Sequence, residues 1–383
     1  MRVLGFPSPT RPRIDAPRYR RALLSAALGA TLVLSACSTE DTPENVEAPV
    51  ALQVDPARVL LHNPGTAPHR TLEYAAERPE QQVSVAVTSG FEQQVMRADA
   101  VQVQAPEAAQ DAPLMQDAET LTLPLQAVGS AASSDSRDAA GDGGDAGSGA
   151  GEGATRRVDT TLGKPTSFDP SANAALESTQ GFTLGWQGDA NGRISTVDLA
   201  APTEADDDNR ALIEKAMMKL LSLPVIFPDE PVGVGAVWSV DSRVTGEATL
   251  LQTTTYTLTA LDGDAVELNV SVQQRPAQGA LVMSGDEGTP ETAGALGDSE
   301  AEGSAGTSDS TDSEAEGQPE TAAGDQTLDV MNANTSSTGT LRLNLNEALP
   351  HEGTVALTTR VVYGQQESDV RVVQDTATRL RFY

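Results

Sequence analysis

The chain has 383 residues, 25 basic and 55 acidic side chains, a formal net charge of −30 and only 3% aromatic residues. Such acidity excludes a general nucleic-acid binder, which needs a basic face, and argues against docking on anionic headgroups by charge. So few rings leave little for stacking on sugars or bases. The single cysteine, Cys37, excludes a disulfide framework and a thiolate metal site.

Residues 1–21 carry Arg2, Arg11, Arg13, Arg18, Arg20 and Arg21 against one acid, Asp15. Residues 22–36 then run without a charge. That is short of the roughly 20 residues a membrane span needs. A basic start, a short apolar run and small residues at its end describe a secretory signal. Leu34-Ser35-Ala36-Cys37 resembles the lipobox of bacterial lipoproteins. The resemblance implies a diacylglyceryl group on the Cys37 thiol and cleavage between Ala36 and Cys37. The residue types suit that chemistry, because small side chains admit the backbone to a narrow protease site and a thiolate is a nucleophile. Expected are a signal peptide at 1–36, a lipidated flexible tether at 37–56 and a β-rich globular domain at 57–383. Removing the signal takes away six arginines and one aspartate, so the mature chain is more acidic still. The lipid on Cys37 would then hold the protein to the extracytoplasmic face of the cell membrane.

Beyond the tether, strict alternation predicts half-buried antiparallel strands. Val83, Val85 and Val87 alternate with small or polar residues, as do Leu121, Leu123 and Leu125. Residues 130–154 interrupt the pattern with small and acidic residues, and residues 284–326 do so again without a single base. Neither stretch can bury enough apolar surface to offset its ordering entropy, so both are expected to be disordered. Their acids lack the spacing of a calcium loop. Alternation resumes at Val266, Leu268, Val270 and Val272, at Leu341, Leu343 and Leu345, and at Val355, Leu357, Thr359 and Val361. "GDANGR" (188–193) and "LDGDAV" (261–266) read as tight hairpin turns.

One helix is predicted at about 207–222. Asp206-Asp207-Asp208 stand at its start, where an aspartate caps the free amides, and Leu212, Ile213, Ala216, Met217, Leu220 and Leu221 form one stripe for packing on a sheet. Pro224 stops it. A layout of strand, insert, strand, turn, strand occurs on each side of the helix, with residues 178–196 echoing 336–357. A duplicated two-half domain fits this, and so does the cheap similarity of β-strand sequences. The fold class expected is mainly β, with one or more curved antiparallel sheets and one packed amphipathic helix.

After the helix, "LPVIFPDEPVGVGAVW" (223–238) is punctuated by Pro224, Pro228, Pro231, Gly233 and Gly235 and ends on Trp238. With the lipobox and "LLHNPGTAPHRTLEY" (60–74), it resembles a family of uncharacterised actinobacterial lipoproteins with the pattern P-x-x-P-V-G-x-G-x-x-W. The resemblance spans most of 57–383 outside the inserts and implies a lipoprotein with no assigned activity. The prolines forbid helix, so the segment reads as an extended connection between sheet halves or as a ligand-contacting loop.

No catalytic, cofactor-binding or metal-binding residue is singled out. His62, His69 and His351 show no H-E-x-x-H spacing, and G-x-S-x-G, S-x-x-K and phosphate-loop patterns are missing. Two functions are expected to compete. One is a non-enzymatic binding or carrier module for lipid or another apolar ligand, because a curved sheet with one helix on its concave side resembles lipoprotein-carrier half-barrels. The other is a structural or protein-interaction lipoprotein of the envelope.

Overall fold

Alternation along the chain translates directly into one antiparallel sheet. The computed structural model describes residues 46–132, 156–244, 249–283 and 326–383. Ala36, Cys37 and the rest of the signal segment lie outside the described residues, as do 133–155 and 284–325 of the two acidic inserts. The strands are β1 (Val50–Gln53), β2 (Arg58–Asn63), β3 (Arg78–Arg97), β4 (Glu119–Ala131), β5 (Arg156–Leu162) and β6 (Thr166–Ser167). A single-turn helix α1 (Asn173–Leu176), β7 (Thr183–Gly188), β8 (Ile194–Ala200) and helix α2 (Asp207–Leu221) follow. The second half holds β9 (Val237–Val244), β10 (Leu250–Asp262), β11 (Ala265–Pro276), β12 (Ala280–Met283), β13 (Gln326–Asn344), β14 (Glu352–Gly364) and β15 (Val370–Phe382).

Along the sheet the order is β1-β8-β7-β5-β4-β3-β15-β14-β13-β11-β10-β9-β2, with β6 beside β4 and β12 beside β13. The order contains a repeated layout. Strands β3, β4, β5, β7 and β8 form one meander, and β10, β11, β13, β14 and β15 form another; β3 then pairs with β15 to join them. Each acidic insert leaves the sheet at a hairpin tip, between β4 and β5 or between β12 and β13. Counted from its insert, β7 occupies the place of β14. The sequence echo instead aligns β7 with β13, which puts it one strand out of step. Two boundaries also move. β4 continues to Ala131, and β13 opens on Gln326, because main-chain pairing with β5 and β12 outlasts the apolar alternation.

The two ends of the sheet are made by consecutive strands. β1 pairs with β8 and β2 with β9, and only residues 54–57 separate them. Five Cα steps span at most about 18 Å, so the sheet curls until its edges nearly meet while its ladder stays open. Residues 46–53 lie within the expected flexible tether, yet they are ordered. Val46 bridges Pro202, Glu47 pairs with Arg210 at 2.8 Å, and β1 adds to the β8 edge although all four of its side chains are exposed. Its alternation is invisible because main-chain bonds, rather than burial, hold it.

Helix α2 and residues 223–236 fill the curl. The Asp206 carboxylate accepts from the Asn209 amide at 3.0 Å, capping α2 as the sequence predicts. Ile213, Ala216, Met217 and Leu220 are buried, and Leu212 and Leu221 pack at the margin. One hydrophobic cluster runs from Trp186 and Val197 through the helix to Trp238 and Tyr256. The outer face is covered at β14 and β15, where residues 101–118 bring Ala108, Leu114 and Met115 onto Ala356 and Ala377. Beneath this strap Arg360 donates to Asp375 at 2.7 and 2.6 Å, a pair almost closed to solvent.

Candidate functional site

Two segments singled out in the sequence meet in space. The 60–74 segment and the 223–238 segment are joined by Thr66 N to Val234 O at 2.9 Å and Gly233 N to Pro64 O at 2.8 Å. Arg70 and Val232 exchange amide bonds at 3.0 and 2.9 Å. A Cβ on Gly233 would sit 1.9 Å from Thr66 O, so only glycine permits the approach. Tyr74, Phe227, Trp238 and Tyr256 then form a ladder of rings with centroids 5.3, 6.0 and 5.6 Å apart. The Trp238 indole donates to Ile226 O at 2.8 Å and the Tyr256 hydroxyl to Pro224 O at 2.7 Å. Burial pushes the Tyr256 hydroxyl far above its ordinary pKa, so it remains a donor. The segment is therefore a buried connection between the halves, and its rings are core.

The histidines are dispersed. His62 Nε2 lies 2.9 Å from Ser239 Oγ, His69 Nε2 lies 3.2 Å from Gly65 O, and His351 Nδ1 lies 2.7 Å from Glu347 Oε2. Among the described residues no three His, Cys, Asp or Glu side chains gather as a metal site.

At the C-terminal end of α2 a pocket of about 50 Å3 opens between Tyr74, Arg156, Trp186, Leu221, Val225 and Phe382. Its wall contains Arg156, one of a pair of buried cations that sequence reading missed. Arg78 opens β3 and Arg156 opens β5; both are about 95% buried, at 6% and 5% exposure. Their guanidinium carbons lie 5.0 and 4.2 Å from the centre of the Tyr74 ring. The partners are carbonyls. Arg78 Nε donates to Ala75 O at 2.6 Å and its Nη1 to Glu347 O at 2.8 Å, while Arg156 Nη2 reaches Ala348 O at 3.3 Å. Gln81 joins them, donating to Leu349 O and accepting from the Ala348 and Leu349 amides. Together these side chains hold the turn between β13 and β14. Among the described residues, Arg78 Nη2 and Arg156 Nε find no acceptor. Burial, and then the charge of Arg156, pull the Arg78 pKa down to about 9. Burial likewise lowers that of Arg156, and it raises that of Tyr74.

The opposite end of the inner face is open. Helix α2 covers β3 as far as Val87 and Ser89, where Leu212, Lys215 and Ala216 meet it. Lys219 donates to Thr378 of β15 at 3.1 Å. Beyond, the register puts Val95, Val372, Tyr363 and Val330 in one cross-strand row, with a bulge in β13 between Val330 and Asn332. Val361, Tyr363 and Val372 are buried against Leu281 and Leu328. Phe91, Val95 and Val370 are 47%, 67% and 50% exposed.

No protein-family model matches the chain, and no match is found among curated proteins.

Proposed function

We propose that this chain is an exported lipoprotein whose β-domain is a non-enzymatic binding module for an apolar ligand, held at the extracytoplasmic face of the cell membrane by a lipid on Cys37. The lipobox residues Leu34-Ser35-Ala36-Cys37 support the anchor. One observation carries the binding role: the inner face of the sheet runs past α2 as an apolar row in which Tyr363 and Val372 are covered while Phe91, Val95 and Val370 stay exposed. A second observation limits it. The pockets beside α2 measure about 50 Å3 each, against the 300–1,000 Å3 usual for a small-molecule site. An acyl chain would therefore lie along the open row, or would enter only after α2 left the sheet. The same small cavities favour the second reading, in which the row contacts another envelope protein and no small ligand is carried.

The test is mass spectrometry of the gently purified full chain alongside Val95→Asp. Stoichiometric lipid on the wild type that is lost from V95D supports carriage. Lipid-free wild type that pulls down one envelope protein, again lost in V95D, supports the interaction reading. V95D should leave stability within about 0.5 kcal/mol, because the side chain is exposed. Cys37→Ser should abolish lipid labelling and signal cleavage; a labelled C37S chain would overturn the anchor.

A further inference from the structure

Arg78 and Arg156 are buried cations, and among the described residues neither is paired with a carboxylate. Elsewhere the same fold does pair its less exposed arginines with acids. Arg157 holds Asp198 at 2.8 Å and Arg360 holds Asp375 at 2.6 Å. At the Tyr74 ring, carbonyls and the ring face answer the charge, and Arg78 Nη2 and Arg156 Nε, both closed to solvent, find no acceptor among the described residues. Burying an unpaired charge is costly, and both guanidiniums lie within 5.0 Å of one ring centre, which adds mutual repulsion. Turn-clamping needs hydrogen-bond donors but not two charges, since Gln81 holds the same turn with a neutral amide. Arg156 also faces the pocket, whose volume suits a few waters or one small oxyanion.

We infer that the Arg156 pocket binds an oxyanion, a carboxylate or phosphate group, with Arg156 as the contacting cation and Arg78 behind it as a positioning charge. A guanidinium fork matches both anions in geometry. The remaining wall of Trp186, Ile194, Leu221, Val225 and Phe382 is apolar, so the anion arrives free or as the acidic end of an apolar molecule. Arg78 and Val95 lie near opposite ends of β3, so this site stands or falls separately from the open row.

The test melts the full chain in sodium phosphate and in sodium chloride of equal ionic strength, following tryptophan fluorescence, since Trp186 lines the pocket. Octanoate is the second probe. Saturating ligand should raise Tm by about 5 °C or more. A response to phosphate identifies a free-anion site, and a response to octanoate at far lower concentration identifies an acidic end group. Arg156→Met should be as stable in chloride as the wild type and should lose the shift. Arg156→Lys, which keeps the charge without the fork, should weaken binding at least tenfold. No shift with either probe, or a full shift retained in R156M or R156K, would overturn the proposal. Should R156M fail to fold, R156K and Arg78→Met decide it: an undiminished shift in both means the arginines only clamp the turn.

Discussion

Gly233→Ala tests the junction between the 60–74 and 223–238 segments. The added methyl would start 1.9 Å from Thr66 O and 2.9 Å from Pro68 O, both of them main-chain atoms. Neither can swing aside, so the segments must part by about 1.5 Å to reach ordinary contact at 3.4 Å. Four inter-segment amide bonds, at Thr66, Arg70, Val232 and Gly233, would stretch or break. At about 1 kcal/mol each, the loss is roughly 3–5 kcal/mol. Gly235→Ala is the control. Gly235 has φ +86° but nothing within 4 Å of its would-be Cβ, so only left-handed strain of about 1–2 kcal/mol applies. Urea unfolding followed by tryptophan fluorescence compares the two, because Trp238 ends the segment. If G233A proves no more destabilising than G235A, close backbone packing is not what requires glycine there.

Two further outcomes follow from charges under cover. Arg360→Met should cost about 3–5 kcal/mol by leaving Asp375, only 4% exposed, without its cation, whereas R360M/D375L should recover most of the loss; equal urea midpoints for single and double variants would contradict this. Burial pulls the Arg78 pKa down to about 9 in the folded chain, well below its ordinary value in the unfolded chain. Between those values the unfolded state binds more protons, so the penalty of the buried charge is fully present below pH 9 and is relieved as pH rises above it. The stability difference between wild type and Arg78→Met should therefore shift in favour of the wild type from pH 8 to pH 10.5, and a flat difference in urea unfolding would refute it.

What the sequence made legible follows from what burial writes into it. Val83 to Val87, Leu121 to Leu125 and Val266 to Val272 each bury one face, so period two announced them. The α2 stripe was equally plain, because its cap and its Pro224 stop are local. β1 escaped because none of its side chains is buried, and an edge strand held by main-chain bonds leaves no pattern. The Arg78–Arg156 pair escaped for another reason. Each arginine opens a strand as an ordinary polar residue, and only pairing through β4 brings the two to one tyrosine. The strap at 101–118 shows no periodicity, since it meets the sheet through Ala108, Leu114 and Met115 at irregular spacing and through carbonyls.

The union of β3 with β15 has a consequence for the order of events during synthesis. β3 is the longest strand, and its pairing with β15 joins Gln93 to Gln374 across 281 residues. A chain made from its N-terminus can zip β3 to β4 almost at once. The other flank of β3 must wait until nearly everything after it has been made. Until then the Val85–Arg97 stretch of that flank is an unpaired edge, an aggregation-prone feature of a half-made sheet. The nascent protein therefore has its greatest need of a holding partner before β15 is released, and a truncation that removes β15 would leave β3 and β14 without their shared partner.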